Sequence, residues 1–433
     1  MKIKAEVEKS TGKKALPKGE QKDLITNLRE ISRKKLESEI KAGASTSIIS
    51  LINNLIELAY NIKASDIHID PQLEFVRIRL RIDGVLQDET PFPKLIHSEV
   101  ISRIKILAGL RTDEHQTSQD GRFRVNLETG SIDIRVSIAP TYYGENAVMR
   151  LLTDQNEEFT LDNLGFSIGD KAKILRAIRY PYGMILATGP TGSGKTTTLY
   201  TLVKLLNTPD TSIITIEDPI EYSIKGINQI GVNSRTGLTF ANGLRSILRQ
   251  DPNIIMVGEI RDEETAGLAV NTALTGHLVL STIHTNDAAT TLPRLIDLKI
   301  EPYLIASTVN IAIGQRLVRR ICKACKRERK ISALEIESLT EVVPADVLGG
   351  QTVFYEGEGC DKCNHTGYSG RISINEVLVV DNAIRNAIHK KATAAEIKQE
   401  AKKQNMTFMI EDGFQKAKLG ITTIEEVLKT LHE

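Results

Sequence analysis

The chain of 433 residues contains no tryptophan, and only 4% of its residues are aromatic. Single-stranded nucleic acids stack their bases on aromatic side chains, so this scarcity argues against a base-stacking surface. The charge balance argues the same way. The 56 basic and 55 acidic residues leave a net charge of +1, whereas nucleic-acid-binding domains usually carry a basic surplus. We therefore expect no nucleic acid among the partners.

Long apolar runs are also missing. No stretch approaches the roughly 18 consecutive apolar residues that indicate a transmembrane helix. The opening residues, MKIKAEVEKSTGKK, lack the apolar core of a signal peptide. We therefore expect a cytoplasmic protein that attaches to the inner face of a membrane through a partner. The apolar fraction of 41% and the charged fraction of 26% are ordinary for a globular protein, which excludes wholesale disorder.

Cysteine is scarce, and all four cysteines stand in two Cys-x-x-Cys pairs, Cys322/Cys325 and Cys360/Cys363. Each pair can supply two thiolates to one tetrahedral ion, and four thiolates suit Zn²⁺. The long gap between the pairs predicts a small subdomain at about residues 320–376 that carries a structural zinc site. Free core cysteines and a redox dithiol remain as alternatives.

The first third of the chain predicts an arm followed by an α+β domain. Residues 1–45 are rich in charged residues, serine and glycine, and we interpret them as a flexible, partly helical, charged arm. Residues 46–153 begin with a helical apolar pattern and continue in strands of alternating polarity. Within Phe75–Leu86, apolar side chains point one way and a row of arginines the other, which predicts an antiparallel sheet with one basic face.

The rest of the chain predicts a linker and an α/β domain. Residues 154–167 have the composition of a linker, and over residues 168–433 short apolar strands alternate with helices. Runs such as Met184–Thr188 and Ile254–Val257 are typical of a parallel sheet that is covered on both faces. We expect helices over residues 377–433 at the end of this domain.

The most specific motif is a G-x-x-x-x-G-K-T sequence between a predicted strand and a predicted helix. Its glycines let backbone N–H groups turn towards phosphate oxygens, and the helix N-terminus adds a favourable dipole. Lys195 can reach the β- and γ-phosphates of ATP, and Thr196 can hold Mg²⁺. The predicted nucleotide-binding residues are Gly189, Pro190, Thr191, Gly192, Ser193, Gly194, Lys195, Thr196 and Thr197.

Carboxylates end two neighbouring predicted strands. The strand IIMVG ends at Glu259, our candidate for polarising the water that attacks the γ-phosphate. Gly258 occupies the place of the aspartate that usually helps to bind the metal ion. Another strand ends at Glu217 and Asp218, where a salt-bridged strand end is nearly as good an explanation as a catalytic role.

Histidines occur beside two predicted strands. His277 and His284 bracket the strand LVLSTI, and both a γ-phosphate sensor and ordinary core histidines fit this position. Asp66, His68 and Asp70 share one face of an earlier strand. We interpret these three as polar residues on an exposed strand rather than as a metal site.

The order of these segments resembles the secretion ATPases of type II secretion and type IV pilus assembly, the GspE/PilB type. The resemblance covers roughly residue 47 to the C-terminus. The matching segments are ASDIHIDP, QDGR, DIRVSIAPTYYGENAVMRLL, the phosphate loop, ITIEDPIEY, RQDPNIIMVGEIRD, HLVLSTIHTNDA and GCDKCNHTGYSGRISINEVL.

The resemblance implies a hexameric ring whose subunits each have a PAS-like N-terminal domain and a RecA-like ATPase domain. ATP hydrolysis would move these domains relative to each other and act on an inner-membrane platform protein, which feeds pilin-like subunits into a filament. The four-cysteine element resembles the zinc-binding subdomain of the assembly ATPases, which retraction ATPases lack. The resemblance therefore favours assembly.

The resemblance also implies roles for single residues. In the family, the acids of the Asp box match Glu217 and Asp218, the catalytic carboxylate matches Glu259, and the histidines of the His box match His277 and His284. Two arginines that reach the bound phosphates match Arg135 and Arg150, which would give the basic sheet face a purpose, because an arginine can neutralise charge on the γ-phosphoryl group.

The chain departs from the family in three places, one of which is Tyr182, where a histidine is usual before the phosphate loop. The region before ASDIHIDP is too short for the docking domain that usually contacts the membrane partner, and His115, Gln116 and Ser118 replace the usual residues of one loop. Two other functions remain open. One is a nucleic-acid-directed or conjugation-type RecA-like motor, and the other is a non-catalytic scaffold whose nucleotide only holds the ring together.

Overall fold

The structure is a computed structural model that describes residues 18–41, 47–127, 130–153, 159–343, 345–348 and 350–432. The chain divides between residues 155 and 156 into two compact units. Among the described residues, no helix is both long enough and apolar enough to cross a membrane.

In the residues that the structure describes, the first unit contains a six-stranded antiparallel sheet and three α-helices. The strands are β1 (Ala64–Pro71), β2 (Phe75–Ile82), β3 (Val85–Pro93), β4 (Gln119–Leu127), β5 (Gly130–Thr141) and β6 (Gly144–Thr153). The helices are α1 (Lys18–Lys41), α2 (Ile48–Asn61) and α3 (His97–Ala108). The strand order is β3-β2-β1-β6-β5-β4, and every neighbouring pair is antiparallel.

The core of this unit lies between one face of the sheet and the helices. Alternation along β2 buries Val76, Ile78 and Leu80, while the arginines between them stay towards the surface. Helix α2 begins where the Ser47 side chain accepts the N–H of Ser50, a common way to satisfy a free donor at a helix start. The predicted antiparallel sheet is confirmed.

Part of the predicted arm is a packed helix. Residues 18–41 form α1, and residues 1–17 and 42–45 of the arm lie outside the described residues. Leu36 of α1 is fully buried in the core of the first unit. A salt bridge of 2.9 Å joins Arg33 of α1 to Glu89 of β3, so charge and one buried leucine both hold this helix to the domain.

The second unit is an α/β domain. Its strands are β7 (Gly183–Thr188), β8 (Ile213–Glu217), β9 (Asn228–Gly231), β10 (Ile254–Val257), β11 (Leu278–Ile283), β12 (Val309–Ile321), β13 (Lys326–Lys330), β14 (Val353–Gly357) and β15 (Tyr368–Val379). Its helices are α4 (Leu161–Leu164), α5 (Ile168–Ala177), α6 (Lys195–Leu206), α7 (Phe240–Ile247), α8 (Glu263–Leu274), α9 (Thr291–Asp297), α10 (Pro302–Thr308), α11 (Ala333–Val342), α12 (Ala345–Leu348), α13 (Asn382–His389), α14 (Ala394–Lys403), α15 (Met409–Lys418) and α16 (Ile424–His432).

The main sheet of this unit has the order β15-β12-β7-β11-β10-β8-β9. Strands β12 and β15 run antiparallel, and the other neighbouring strands run parallel. Successive side chains of β7 enter two different cores, with Met184 and Leu186 in one and Ile185 and Ala187 in the other. The sheet is therefore covered on both faces, as its apolar strands predict.

The segment predicted as a linker contributes to the second core. Residues 154–158 lie outside the described part of the chain, but α4 follows them, and the Thr160 side chain caps its first turn. Leu161 and Phe166 are buried with the residues that back β7. These two side chains pack against residues that are distant in sequence, so the composition of the segment alone did not predict their burial.

Strands β13 and β14 form a separate antiparallel hairpin between the two cysteine pairs. A small core joins this hairpin to the C-terminal helices, with Phe354 of β14 packed in one cluster with Phe414 of α15 and Val427 of α16. The C-terminal helices thus connect the cysteine hairpin to the main sheet, because α15 also packs on β15.

Candidate nucleotide site and cysteine cluster

The loop between β7 and α6 has a backbone that only glycine adopts easily. Gly189, Gly192 and Gly194 have φ angles of 143°, 80° and 90°, which strain residues that carry a side chain. A Cβ on Gly189 would lie 2.3 Å from the carbonyl oxygen of Gln315 and 2.7 Å from Ser193 Oγ. The sequence therefore fixes a tight turn directly before the N-terminus of α6, where N–H groups lack helical partners.

Lys195 folds back over this loop. Its side chain is buried, with 7% of the residue exposed, and Nζ donates to the carbonyl oxygens of Gly189 and Pro190 at 2.8 and 2.9 Å. Burial lowers the pKa of Lys195 to about 8, although the nearby Glu259 carboxylate acts in the opposite direction. An ammonium has three donors, so a phosphate oxygen can accept from Lys195 and favour its charged form.

A second observation fits a phosphate at this loop. Ser193 is buried, and its Oγ has no hydrogen-bond partner among the described residues. A buried hydroxyl without a partner costs free energy. The free N–H groups, the lysine and this hydroxyl together suit a ligand rich in acceptor oxygens. Thr196, the predicted Mg²⁺ ligand, occupies the second position of α6 and is partly exposed.

Glu259 lies at the end of β10 and is held by two basic side chains. Its Oε1 is 2.6 Å from Arg261 Nη2, and its Oε2 is 3.0 Å from His284 Nε2. Glu259 is close enough to Lys195 for its charge to affect the pKa of that lysine. The structure therefore brings together three of the predicted residues, Lys195, Glu259 and His284, at the carboxyl ends of β7, β10 and β11.

Hydroxyl groups fix the ends of these strands relative to one another. Thr188, the last residue of β7, donates its hydroxyl to the carbonyl oxygen of Thr285 at 2.9 Å and accepts the Thr285 N–H at 3.1 Å. Thr282 of β11 donates to the carbonyl oxygen of Gly258 at 2.7 Å. The phosphate loop, the Glu259 strand and the His284 strand therefore share one hydrogen-bonded edge.

Gly258 allows a close approach to the next strand. A Cβ at this position would lie 3.3 Å from Glu217 Cα and 3.3 Å from the carbonyl oxygen of Ile216. These are backbone atoms of β8, which cannot rotate out of the way. The absence of the usual aspartate therefore has a packing reason.

Glu217 is engaged inside the domain. It is 2% exposed and accepts hydrogen bonds from the Tyr200 hydroxyl, from Thr215 Oγ1 at 2.5 Å and from Gln229 Nε2 at 3.1 Å. Burial, followed by the bond to Glu217, raises the pKa of Tyr200. Neutral donors thus brace this strand end, whereas the sequence left open a salt-bridged strand end or a catalytic role. Asp218 beside it is exposed.

The structure does not bring His277 to the phosphate loop. His277 precedes β11, at the end opposite His284, and its carbonyl oxygen accepts the N–H of Gly183 at 3.1 Å. Its Nδ1 lies 3.1 Å from the carbonyl oxygen of Thr272. A strand of six residues, about 20 Å, separates the two histidines.

Arg135 and Arg150 both belong to the first unit. They lie on β5 and β6 and are directly paired in the sheet register. Arg150 Nε donates to Asp66 Oδ1 at 2.9 Å, and Arg81 lies 3.5 Å from the same carboxylate. Burial would raise the pKa of Asp66, but hydrogen bonds and the charges of these arginines outweigh it, and the pKa is lowered. Contact with phosphate stays a prediction for both arginines.

Arginines also account for the polar strand face around His68. Asp66 pairs with Arg150, and Asp70 pairs with Arg79 at 2.7 Å. In the part of the chain that the structure describes, these residues do not form a group that could hold a metal ion. Our interpretation placed these residues on an exposed strand, but β1 lies between β2 and β6 and Asp66 is 4% exposed, so the strand is an interior one.

The four cysteines converge at the base of the β13–β14 hairpin. Their sulfur atoms all lie within 4.8 Å of one another. Three of the distances are 3.9 Å for Cys322–Cys360, 3.8 Å for Cys325–Cys363 and 3.7 Å for Cys360–Cys363. Thiolates at about 2.3 Å from a tetrahedral zinc ion stand about 3.8 Å apart, so the set fits Zn²⁺.

Backbone groups around the cluster favour thiolates. The N–H groups of Cys360 and Gly367 donate to Sγ of Cys363 at 3.2 and 3.3 Å. Such bonds to ligating atoms orient them and are usual around metal sites. The geometry agrees with the interpretation of a closed structural site, in which zinc would tie the two ends of the hairpin together.

Sequence reasoning missed several residues that hold the nucleotide site. Arg261 on Glu259, and the Thr188–Thr285 link, are absent from the predicted set. The only signal that the sequence offers for Arg261 is its place two residues after Glu259. Thr188 and Thr285 are far apart in sequence, and no local pattern marks their contact.

These features define a P-loop nucleotide-binding domain. They are a parallel sheet covered on both faces, a glycine-rich loop that leads into a helix, and a buried lysine folded over that loop. The chain matches the model of the Type II/IV secretion system protein family over residues 41–429. It belongs to this family, and the resemblance drawn from the sequence motifs is confirmed.

Relatives of known name match most of the chain. The type IV pilus assembly ATPase PilB of Thermus thermophilus is 45% identical over 403 residues, which are 92% of this chain and 45% of that protein. PilB of Myxococcus xanthus is 44% identical over 91% of this chain and 69% of its own length. The type II secretion system protein HxcR of Pseudomonas aeruginosa is 44% identical over 89% of this chain and 78% of its own length. The chain spans about half the length of the Thermus relative.

Solved structures share the fold. The pilus retraction motor PilT with bound ADP superposes with a TM-score of 0.60 at 27% identity, covering 88% of this chain and 96% of PilT. The ATPase DotB of Legionella pneumophila superposes with a TM-score of 0.64 at 22% identity, covering 88% of this chain and 95% of DotB. The predicted fold class is confirmed as an α+β domain followed by a RecA-like parallel-sheet domain, which carries the four clustered cysteines.

Proposed function

We propose that this chain is an ATP-hydrolysing motor subunit that drives assembly of a type IV pilus, a pseudopilus or a type II secretion filament. The observation that carries the proposal is the position of Glu259 beside Lys195, held by His284 and Arg261. Relatives named as pilus assembly and secretion ATPases support it.

Hydrolysis would proceed at the shared edge of β7, β10 and β11. The loop N–H groups and Lys195 bind the phosphates, and Thr196 holds Mg²⁺, which neutralises phosphate charge when bound. Glu259 accepts a proton from the attacking water while that water adds to the γ-phosphorus, and the β-phosphate oxygen leaves. His284 and Arg261 orient the two carboxylate oxygens, so that Glu259 keeps one geometry.

The arginines of the first unit would complete the site. Arg135 and Arg150 are paired neighbours on β5 and β6, so the two cations stand side by side on one sheet. Their charges would stabilise the negative charge that develops on the γ-phosphoryl oxygens. Glu217 supports the site through Tyr200 and the β8 backbone, while Asp218 is the acid of this pair that is exposed to a ligand.

The working assembly would be a hexameric ring on the cytoplasmic face of the inner membrane, bound to a platform protein of the filament system. The four-cysteine cluster supports assembly over retraction, because it matches the zinc-binding subdomain of assembly ATPases. Zn²⁺ would hold that subdomain together and take no part in hydrolysis.

Glu259→Gln tests the reaction, because it keeps the shape of the side chain and removes the base. Phosphate release should fall at least about 100-fold, while binding of ADP with Mg²⁺ changes by less than about threefold. Glu263→Gln is a matched control, since Glu263 is exposed and pairs only with Lys299 on the surface. A wild-type protein that neither binds nor cleaves ATP in any state of association would contradict the proposal.

A further inference from the structure

Glu376 is a buried carboxylate outside the nucleotide-binding loop. It lies on β15, is 3% exposed, and stands opposite Gly314 of β12 in the sheet register. A Cβ at Gly314 would lie 2.8 Å from Glu376 Cγ and 3.1 Å from the N–H nitrogen of Ala288. Gly314 therefore leaves the gap through which the Glu376 side chain crosses β12.

The two oxygens of Glu376 contact two different parts of the domain. Oε1 accepts the N–H of Ala288 at 2.7 Å, in the loop that follows β11. Oε2 accepts the N–H of Met409 at 3.3 Å, at the first residue of α15. A first-turn N–H has no helical partner, and the helix dipole favours a negative group there. One carboxylate thus joins this loop to a C-terminal helix.

The loop in question carries the nucleotide-site contacts. It begins with His284, which contacts Glu259, and continues with Thr285, which is bonded to Thr188 directly before the phosphate loop. Asp287 in the same loop is 2.8 Å from Lys398 of α14. Two side chains from the C-terminal half therefore hold the loop from its far side, Glu376 by the Ala288 N–H and Lys398 by Asp287. Burial raises the pKa of Glu376 to about 7.

We propose that Glu376 is a positioning residue that ties the His284 loop to the C-terminal helices and, through α15, to the cysteine subdomain. The proposal rests on the function proposed above and adds a route by which the nucleotide site and this subdomain influence each other. Glu376 is buried and bonded to the loop and to α15, so its effect on hydrolysis would pass through His284 and Glu259.

A graded series of variants separates the two contacts. Glu376→Gln keeps an oxygen for Ala288 but turns an N–H₂ group towards the Met409 N–H. Glu376→Ala removes both contacts. Lys398→Met removes the contact to Asp287 at a partly exposed side chain, and it also removes a positive charge that favours the ionised form of Glu376. Glu426→Gln is the matched control, because Glu426 is also buried among the C-terminal elements but holds Arg319.

Two measurements on the full chain decide the proposal. The rate of amide hydrogen exchange in residues 284–290 should increase from the wild type to Glu376→Gln and again to Glu376→Ala, which should exchange about tenfold faster than the wild type. Lys398→Met should also increase this rate. Glu426→Gln should leave this segment unchanged. In ATP hydrolysis, Glu376→Gln should lower kcat about tenfold and leave KM within about twofold of the wild type. The reason is that the variant misplaces the base, Glu259, and does not change the groups that bind the nucleotide.

Unchanged exchange in residues 284–290 across the series would overturn the proposal, and so would a kcat that falls equally in Glu376→Gln and Glu426→Gln. The hydrolysis assay tests the proposed function, and the exchange of the loop tests the role of Glu376 independently. If the wild type shows no turnover, the proposed function fails, while the exchange of the loop still decides whether Glu376 positions it.

Discussion

His284 Nε2 lies 3.0 Å from Glu259 Oε2, at the adjacent ends of two parallel strands. The same carboxylate is held on its other oxygen by Arg261. A base that is fixed on both oxygens presents a constant direction to the attacking water, and positioning of this kind contributes much of the barrier reduction in phosphoryl transfer.

Replacing His284 should therefore slow hydrolysis without preventing nucleotide binding. We expect His284→Ala to lower kcat by about tenfold or more, with ADP affinity within about threefold of the wild type. Steady-state phosphate release and an equilibrium titration with ADP and Mg²⁺ measure the two quantities. His277→Ala is the control, because His277 lies at the other end of β11. An equal loss of kcat in both variants would rule out the specific role of His284.

Nucleotide binding should take up protons at alkaline pH. The pKa of Lys195 is lowered to about 8 by burial, so at pH 8.5 most of this side chain is neutral in the free protein. Phosphates favour the charged form and raise that pKa. Calorimetric titration with ADP and Mg²⁺ in buffers of different ionisation enthalpy should show uptake at pH 8.5 and much less at pH 6.5. Equal proton uptake at the two pH values would contradict this.

The same lysine links stability to pH. Its folded pKa, about 8, is below its unfolded value, 10.5, so between these values the unfolded chain binds more protons than the folded one. The free energy of unfolding should therefore rise with pH through this window. Lys195→Met removes this titration. The free energy of unfolding of the wild type minus that of the variant, both from urea denaturation, should therefore rise with pH between about 8 and 10.5. A pH-independent difference would contradict the burial of a titrating lysine.

Loss of the Tyr200 hydroxyl should destabilise the edge of the main sheet. The Glu217 carboxylate accepts that hydroxyl in a buried site, and a buried acceptor left without its donor costs about 1–3 kcal/mol. Tyr200→Phe should lower the free energy of unfolding by this amount in urea denaturation. Tyr180→Phe, at an exposed position, provides the comparison. A Tyr200→Phe variant as stable as the wild type would show that Glu217 has other sufficient donors.

The cysteine cluster predicts about one zinc ion per chain. Cys322→Ser should abolish stoichiometric zinc, measured by elemental analysis of freshly purified protein, and should speed hydrogen exchange in β13 and β14. Exchange in β7 should change little, because β7 lies in a different core from the hairpin. Purified wild-type protein without zinc would contradict the assignment.

Local patterns predicted the strands of the second unit well. Ile254–Val257 matches β10 at both ends, and Met184–Thr188 falls one residue short of β7. These strands are buried on both faces, so their apolar runs carry the signal without any knowledge of neighbours. Helix α4 in the predicted linker was not foreseen, because its few residues gain their stability from burial of Leu161.

The site was predictable as a set of residue types and less so as an arrangement. Lys195 and Glu259 follow from a motif and a strand end, and the structure brings them together. His277 and His284 looked equivalent in sequence, yet the direction of β11 places them at opposite edges of the sheet. Glu376 had no local signal at all, because its two partners come from residues 88 and 33 positions away.

The closeness of Gly258 to the β8 backbone restricts how this site can change. A Cβ introduced there would lie 3.3 Å from Glu217 Cα and from the Ile216 carbonyl oxygen, which is tighter than most Cβ contacts, so the paired backbones of β8 and β10 would have to shift slightly. Selection or protein engineering aimed at a tighter hold on the divalent ion is therefore steered away from this position.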